Sequence, residues 1–137
     1  MKTQAYAALS ATTPMVPHTI ERRELRDDDV AIEILYSGVC HSDLHMVRND
    51  WGRAIYPVVP GHEIIGRVVA TGASAHRFKV GDAVAVGTFV DSCEHCDQCH
   101  KGEQHMCRDV LTETYNGLDR VTGEPTLGGY ARHIVVK

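Results

Sequence analysis

The sequence predicts a mainly β fold, a barrel or a sandwich, on three observations. Short runs with strand character recur along the chain, divided by glycines at fairly even spacing. Prolines at 14, 17, 57 and 60 interrupt the stretches between them. No strand–GxGxxG–helix unit occurs, and Gly128-Gly129 stands before a strand rather than a helix, so it is no nucleotide fingerprint.

Taken in order, Lys2 to Leu9 opens with strand character. Thr12 to His18 carries Pro14 and Pro17 and is expected as loop or edge. Thr19 to Leu25 reads as a short strand with charged outward positions, and Arg26-Asp27-Asp28-Asp29 as a solvated turn. Val30 to Leu35 alternates apolar residues on both sides, which predicts a strand covered on both faces. Ser37-Gly38 ends it, and Val39 to Arg48 passes from loop into a short helix. Trp51 to Pro60 is an irregular connection. Strands are expected over Glu63 to Ala70, Ala83 to Val90 and Gly129 to Val136. Phe78 to Asp82 is a turn, Cys93 to Cys107 a loop with little regular structure, and Asn116 to Gly123 turn-rich.

The chain of 137 residues has the length of one ordinary domain. Its 43% apolar and 23% charged residues describe a globular protein. A net charge of −4 gives no basic footprint, which argues against nucleic acid as a partner. No apolar run approaches a membrane span, and the N-terminal residues lack the apolar core of a secretory signal. The five cysteines are an odd number, so metal ligation is favoured over a disulfide framework and a cytoplasmic location is expected.

Cys93-x2-Cys96-x2-Cys99-x7-Cys107 is the strongest signal in the chain. Structural zinc takes four thiolates in a tetrahedron, and cysteines at this spacing present their sulfurs to one side of a tight loop. The fourth arrives after the chain has turned back through Gly102. A lobe of about residues 91–109 buries few apolar groups, so the metal would supply its folding energy. Four thiolates leave no open position, which makes the site structural. His95, His100 and His105 lie nearby as alternative donors, but the thiolates are softer and sufficient in number. Unrelated buried or disulfide-bonded cysteines are the alternative that this spacing disfavours.

A second constellation combines Cys40-His41-Ser42-Asp43-Leu44-His45 with His62-Glu63, which follows the Pro60-Gly61 turn. Cys40 and His62 are two plausible zinc ligands, and a catalytic zinc keeps an exchangeable position. A metal there polarises an oxygen and lowers the pKa of a bound hydroxyl. Asp43 is expected to accept a hydrogen bond from the second ring nitrogen of His62. Ser42 and His45 can carry a proton from an alcohol to solvent. The plain alternative is a small buried Cys40 with His41 and His45 on the surface.

These segments resemble the zinc-dependent medium-chain alcohol dehydrogenases, and within them the cinnamyl alcohol dehydrogenase-like branch. Gly61-His62-Glu63-x2-Gly66-x5-Gly72 is similar to the family's zinc signature. Gly38 to His45 resembles its first-ligand segment, Val80-Gly81-Asp82-x-Val84 its strand-turn motif, and Cys93 to Cys107 its structural zinc lobe. Thr114 to Gly117 and Thr126 to Tyr130 resemble later segments of the branch. The resemblance spans nearly the whole chain.

It implies a GroES-like β-barrel over residues 1–137, with short helices and a zinc lobe, forming the N-terminal part of a catalytic domain. By the same resemblance Cys40 and His62 are catalytic zinc ligands, and Glu63 is a carboxylate that approaches the metal as ligands exchange. Ser42 and His45 relay the proton, with Asp43 behind them. His41 lies near the cofactor phosphates, with Ser42 beside it. Trp51, Tyr56 and Tyr115 are weaker candidates for an apolar substrate pocket. The implied cofactors are zinc and NADP(H), and the implied substrate is a small alcohol or aldehyde. A homodimer is the assembly the resemblance admits.

Members of the family run to more than twice this length. Their third catalytic ligand, a cysteine, and their Rossmann half come after the point where this chain stops. The resemblance therefore implies a fragment, inactive by itself in hydride transfer. Two other classes stay open on the sequence: a non-enzymatic zinc-binding β-barrel module, and a thiol redox sensor with accessible thiolates.

Overall fold

A computed structural model describes residues Met1–Lys137. Eight strands and two short helices follow in the order β1 (Lys2–Ala7), β2 (Val16–Glu21), β3 (Val30–Ser37), α1 (His41–Val47), β4 (Ile64–Thr71), β5 (Ala83–Val86), β6 (Phe89–Asp91), α2 (Asp97–His100), β7 (Thr112–Glu113) and β8 (His133–Val136). A 3₁₀ turn at Gln104–Met106 follows α2. The expectation of a mainly β protein with short helices holds. No helix is long and apolar enough to cross a membrane.

The main sheet has the order β5-β4-β3-β8, all neighbours antiparallel. β1 and β2 form a second, two-stranded sheet, and β6 and β7 a third. The residues before β8 connect the first two. Tyr6 N–H donates to Tyr130 O at 2.8 Å, Arg132 N–H to Gln4 O at 3.0 Å, and Ile34 N–H to Arg132 O at 2.8 Å. One segment thus bonds β1 on one side and β3 on the other, and the interior of the molecule divides into three apolar clusters.

Period-two patterning selects that interior. Val30, Ile32, Ile64, Val86, Ile134 and Val136 meet in one cluster between the strands of the main sheet. Ala5, Ala7, Ile20 and Val59 form a second, and Met46, Val58 and Tyr115 a third beneath α1. Ile32 and Ile64 are about 99% buried, and burial of each is worth about 2–3 kcal/mol. Arg22 is one of three charged interior residues, with Asp29 and Asp43. Its guanidinium donates to the carbonyls of His133 at 2.8 Å, Gly128 at 2.7 Å and Leu127. Burial pushes its pKa down to about 10, so it stays charged at neutral pH while fastening residues 127–133 to the end of β2.

Several boundaries differ from expectation. β2 begins at Val16 and runs through Pro17, because it is an edge strand paired only with β1, where proline is tolerated. It ends at Glu21 because Arg22 turns inward. β3 is covered on both faces only over Val30–Ile32; its register with β4 shifts between Ala31 and Ile32 and again between Ile34 and Tyr36, and Leu35 and Tyr36 are exposed. The single strand expected over Ala83–Val90 breaks at Gly87-Thr88, after which β6 leaves the main sheet to pair with β7. The two-residue β7 has no sequence signal of its own. The cysteine loop also holds more regular structure than expected, in α2 and the 3₁₀ turn.

Candidate metal centres

The four-cysteine lobe is built locally. The Sγ atoms of Cys93, Cys96, Cys99 and Cys107 all lie within 4.8 Å of one another. Four sulfurs about 2.3 Å from one zinc have tetrahedral edges of about 3.8 Å. The Cys93–Cys99 Sγ separation is 3.8 Å. Backbone donors face the sulfurs: Cys93 N–H to Cys107 Sγ at 3.5 Å, Cys96 N–H to Cys93 Sγ at 3.4 Å, and Arg108 N–H to Cys96 Sγ at 3.5 Å. The N–H groups of Arg108 and Cys99 pull the Cys96 thiol down to about 6, and the N–H of Cys93 lowers Cys107, while burial pushes Cys93 up to about 11. Thiolate character in such a cluster suits a divalent soft cation.

The neighbouring histidines stay out of the cluster. His95 Nδ1 donates to Cys93 O at 2.7 Å, and His105 faces Glu103 at 3.2 Å. In the lobe only Ser92 and Cys99 are buried. The donor set therefore fits structural zinc, and the fold of the lobe has no apolar core to replace it.

The second cluster is assembled across the chain. Ser37 pairs with Ile64 at the start of β4, and Gly38 N–H donates to Glu63 O at 2.8 Å. This pairing lays Cys40, the residue before α1, beside His62-Glu63. The Cys40 sulfur, a His62 ring nitrogen and a Glu63 carboxylate oxygen all lie within 4.8 Å of one another. Cys40 and His62 are half-buried and Glu63 is exposed, so the cluster opens to solvent. The His62 ring stacks on buried Tyr115, with centroids 5.5 Å apart. Ser42 Oγ lies 3.4 Å from His62 Nε2. One soft sulfur, one imidazole and one carboxylate fit a zinc with an open position.

Asp43 behaves differently from expectation. Its carboxylate is buried but makes no bond to His62. Its Oδ2 accepts from Cys40 N–H at 3.0 Å and from Tyr130 O–H at 3.0 Å, and its Oδ1 from Gly61 N–H at 3.1 Å. The physical reason is position. Asp43 is the third residue of α1, where a carboxylate reaches back to the residue ahead of the helix. Burial, together with the Asp43 carboxylate, pushes the Tyr130 phenol well above its ordinary range, which leaves it a neutral donor at pH 7.

The remaining predicted residues lie along one face of α1 and beyond. The His41 and His45 rings are 4.8 Å apart, and His45 lies 5.2 Å from the Trp51 ring. His45 Nδ1 donates to Asp50 Oδ2 at 2.8 Å. No direct hydrogen bond joins Ser42 to His45. Arg53 sits over the Trp51 ring at 5.5 Å. Tyr56 donates from its hydroxyl to Val47 O at 2.7 Å and packs against the cluster beneath α1. Of the three weaker aromatic candidates, Tyr115 alone touches His62. Sequence reasoning did not single out Tyr130 for any role at the site; it sits 87 positions from Asp43, and no local pattern couples them.

The structure thus combines a mainly β domain with a four-cysteine lobe and an open Cys-His-Glu cluster. Residues 26–137 match the alcohol dehydrogenase GroES-like domain, and the chain belongs to that family. It is 52% identical over 136 residues to an aldehyde reductase of Escherichia coli K12, covering 99% of this chain and 39% of the relative. It is 49% identical over 132 residues to an NADP-dependent alcohol dehydrogenase C of Mycobacterium tuberculosis, covering 96% and 38% respectively. Among solved structures, a cinnamyl alcohol dehydrogenase of Sorghum bicolor superposes with a TM-score of 0.95 at 43% identity, over 100% of this chain and 39% of that one. The corresponding CAD of Helicobacter pylori, complexed with NADP(H), gives 0.94 at 39% identity, over 99% and 39%. The chain thus spans about two fifths of the length of these relatives.

Proposed function

We propose that this chain is the catalytic-domain portion of a zinc-dependent, NADP(H)-preferring alcohol dehydrogenase or aldehyde reductase. The observation that carries the reading is the convergence of Cys40, His62 and Glu63 donor atoms within 4.8 Å, at a site open to solvent. Zinc bound there would supply Lewis-acid polarisation of an alcohol or aldehyde oxygen. Cys40, His62 and Glu63 would hold it, and the four cysteines of the lobe would hold a second, structural ion.

The chain's own residues account for proton handling and orientation. Ser42, beside His62, offers a hydroxyl that both accepts and donates a proton. His45, one turn further along α1, is half-exposed and can exchange that proton with solvent. Its bond to Asp50 fixes the ring tautomer. Tyr115 holds the His62 ring by stacking. His41, exposed on the first turn of α1, presents a ring N–H that could hydrogen-bond a dinucleotide phosphate. The NADP(H) preference rests on relatives named for NADP dependence, and the alcohol or aldehyde substrate class on the same names. Five free cysteines suit a reducing, cytoplasmic setting.

The structure contains no βαβ unit to take a dinucleotide, so the 137 residues alone are expected not to oxidise NADPH with cinnamaldehyde. The direct test is a chimera in which this chain replaces its counterpart in the E. coli aldehyde reductase. The chimera should reduce an aromatic aldehyde with NADPH, and His62→Ala within it should abolish turnover. A folded, zinc-loaded chimera without activity would overturn the reading.

A further inference from the structure

Asp43 bridges the two segments that deliver the candidate ligands. One oxygen accepts from the N–H of Cys40 itself, and the other accepts from the N–H of Gly61, next to His62. A buried carboxylate needs several donors to offset the loss of water. The third donor comes from far along the chain, the Tyr130 hydroxyl at 3.0 Å on the same oxygen that holds Cys40.

Tyr130 is itself tightly placed. Its N–H donates to Pro60 O at 2.9 Å, and its carbonyl accepts from Tyr6 N–H at 2.8 Å. Gly129 N–H donates to Gly61 O at 2.8 Å, and Gly128 N–H to Val59 O at 2.7 Å. The segment thus runs beside residues 59–61 and is fastened from behind by the Arg22 guanidinium on Leu127, Gly128 and His133. The Tyr130 ring lies against Gly61, where an added Cβ would come within 2.6 Å of its Cδ1. So the ring packs on the turn before His62, while the hydroxyl reaches past it to Asp43.

We propose that Tyr130 is a positioning residue of the open metal centre, acting through Asp43 to fix the spacing between Cys40 and His62. The proposal rests on the reading of Cys40, His62 and Glu63 as metal ligands. Tyr130 does not touch the ligating atoms. Its hydroxyl stops the Asp43 carboxylate from swinging off the Cys40 N–H, and its ring stops the Gly61 turn from collapsing. Hydrogen bonds to groups behind a ligand commonly change metal affinity by about 10–100-fold, and a hydroxyl one residue further back is expected to act at the lower end of that range.

The test uses this chain with its four-cysteine lobe preloaded with zinc, titrated with Co(II). Wild type should develop a thiolate-to-cobalt charge-transfer band that Cys40→Ala removes. Tyr130→Phe keeps the ring on Gly61 and deletes only the hydroxyl. It should weaken that cobalt site about tenfold, shift its visible d–d bands, and leave the zinc content of the lobe unchanged. In an Asp43→Ala background the same substitution should have no further effect. Amide NMR supplies a metal-free readout: the Cys40 and Gly61 N–H signals should move in Tyr130→Phe while those of β8 stay in place. The NMR readout keeps the test decisive if Asp43→Ala does not fold. Absence of any Cys40-dependent band in wild type would overturn the metal-site reading and this proposal with it. A normal wild-type band with equal affinity in Tyr130→Phe, or an equal loss with and without Asp43, would overturn the proposal alone.

Discussion

The two candidate metal-binding regions are built on opposite plans. The lobe takes all four donors from a 15-residue stretch, Cys93 to Cys107, closed by two short helical turns. It has almost no buried apolar surface, so its shape depends on what its sulfurs bind. The open cluster takes Cys40 from the entry to α1 and His62-Glu63 from the entry to β4. Its spacing is set by the antiparallel pairing of β3 with β4, by Asp43, and by the strand-like segment that carries Tyr130. On the proposed reading, a metal would organise the chain in the lobe. At the open cluster the chain is organised first and would offer a metal a prepared, incomplete shell. A closed structural ion and an exchangeable catalytic one would need this difference.

The largest expected effect tests the first half of that contrast. Cys99→Ala removes the one buried sulfur and leaves three donors. We expect loss of the lobe's zinc by mass spectrometry and rapid proteolysis between about residues 91 and 109, with the main sheet still protected. A protease-resistant lobe with unchanged zinc would show that it folds without the metal, and the contrast would fail.

Gly61→Ala tests the second half. Gly61 has φ of +102°, and a Cβ there would meet Tyr130 Cδ1 at 2.6 Å and Ser37 Oγ at 2.9 Å. Backbone strain of this kind costs about 1–3 kcal/mol, and the clash adds to it. Chemical denaturation should show a loss of about 2–3 kcal/mol. Cobalt binding at Cys40 should weaken while lobe zinc stays stoichiometric. Equal loss of metal from both regions would mean that the two are not independently built.

This division also explains what the sequence could show. The lobe is legible because all of its geometry lies in the spacing of four cysteines, and the structure gathers those four sulfurs. The open cluster is half legible. Cys40, His62 and Glu63 stand out by residue type and come together as expected. The bonds that place them do not stand out, because they depend on strand register and on a contact across 87 positions. Asp43 illustrates the limit: its importance was visible, but its partner was not, since helix geometry directs it to the backbone ahead of α1 instead of to His62. In the fold, the period-two runs gave the main strands. The Gly87-Thr88 break and the tiny β7 followed from pairing between distant segments, which no local pattern encodes.

Acid should separate the regions by a smaller margin. Burial alone would raise the Asp119 carboxyl, but the Arg26 guanidinium and the N–H groups of Thr122 and Val121 outweigh it and hold the carboxyl well below its usual range. Arg26 bonds it with both terminal nitrogens, at 2.8 and 3.0 Å. A carboxyl lowered in the folded state stabilises fully above its unfolded pKa of about 3.9, and that stability is lost as pH falls through the folded value. The barrel side should therefore keep this contribution down to about pH 4. The lobe's thiolates compete with protons for zinc and release it at higher pH. Asp119→Asn should cost about 1 kcal/mol at pH 7 and progressively less below pH 4, read by thermal unfolding across pH. A constant penalty down to the lowest pH would mean that the carboxylate charge is not what stabilises this turn.

The smallest effect on stability belongs to Gly38→Ala, and it is the finest probe of the open cluster. Gly38 donates its N–H to Glu63 O, and a Cβ on it would fall 2.4 Å from Glu63 Oε2 and 3.0 Å from Glu63 Cβ. The closest obstruction is the far end of a flexible side chain on an exposed residue, so the Glu63 carboxylate can swing aside at little cost. Stability should therefore change by no more than about 0.5 kcal/mol. The displaced carboxylate would leave Cys40 and His62 as a two-donor shell. Cobalt should still bind there and keep its Cys40 charge-transfer band, but with weaker affinity and altered visible bands. Glu63→Gln should reproduce those changes without disturbing Gly38. Gly38→Ala added to Glu63→Gln should then do nothing more to the cobalt site. If Gly38→Ala leaves the cobalt site untouched, Glu63 is a bystander on the surface, and the prepared shell consists of Cys40 and His62 alone.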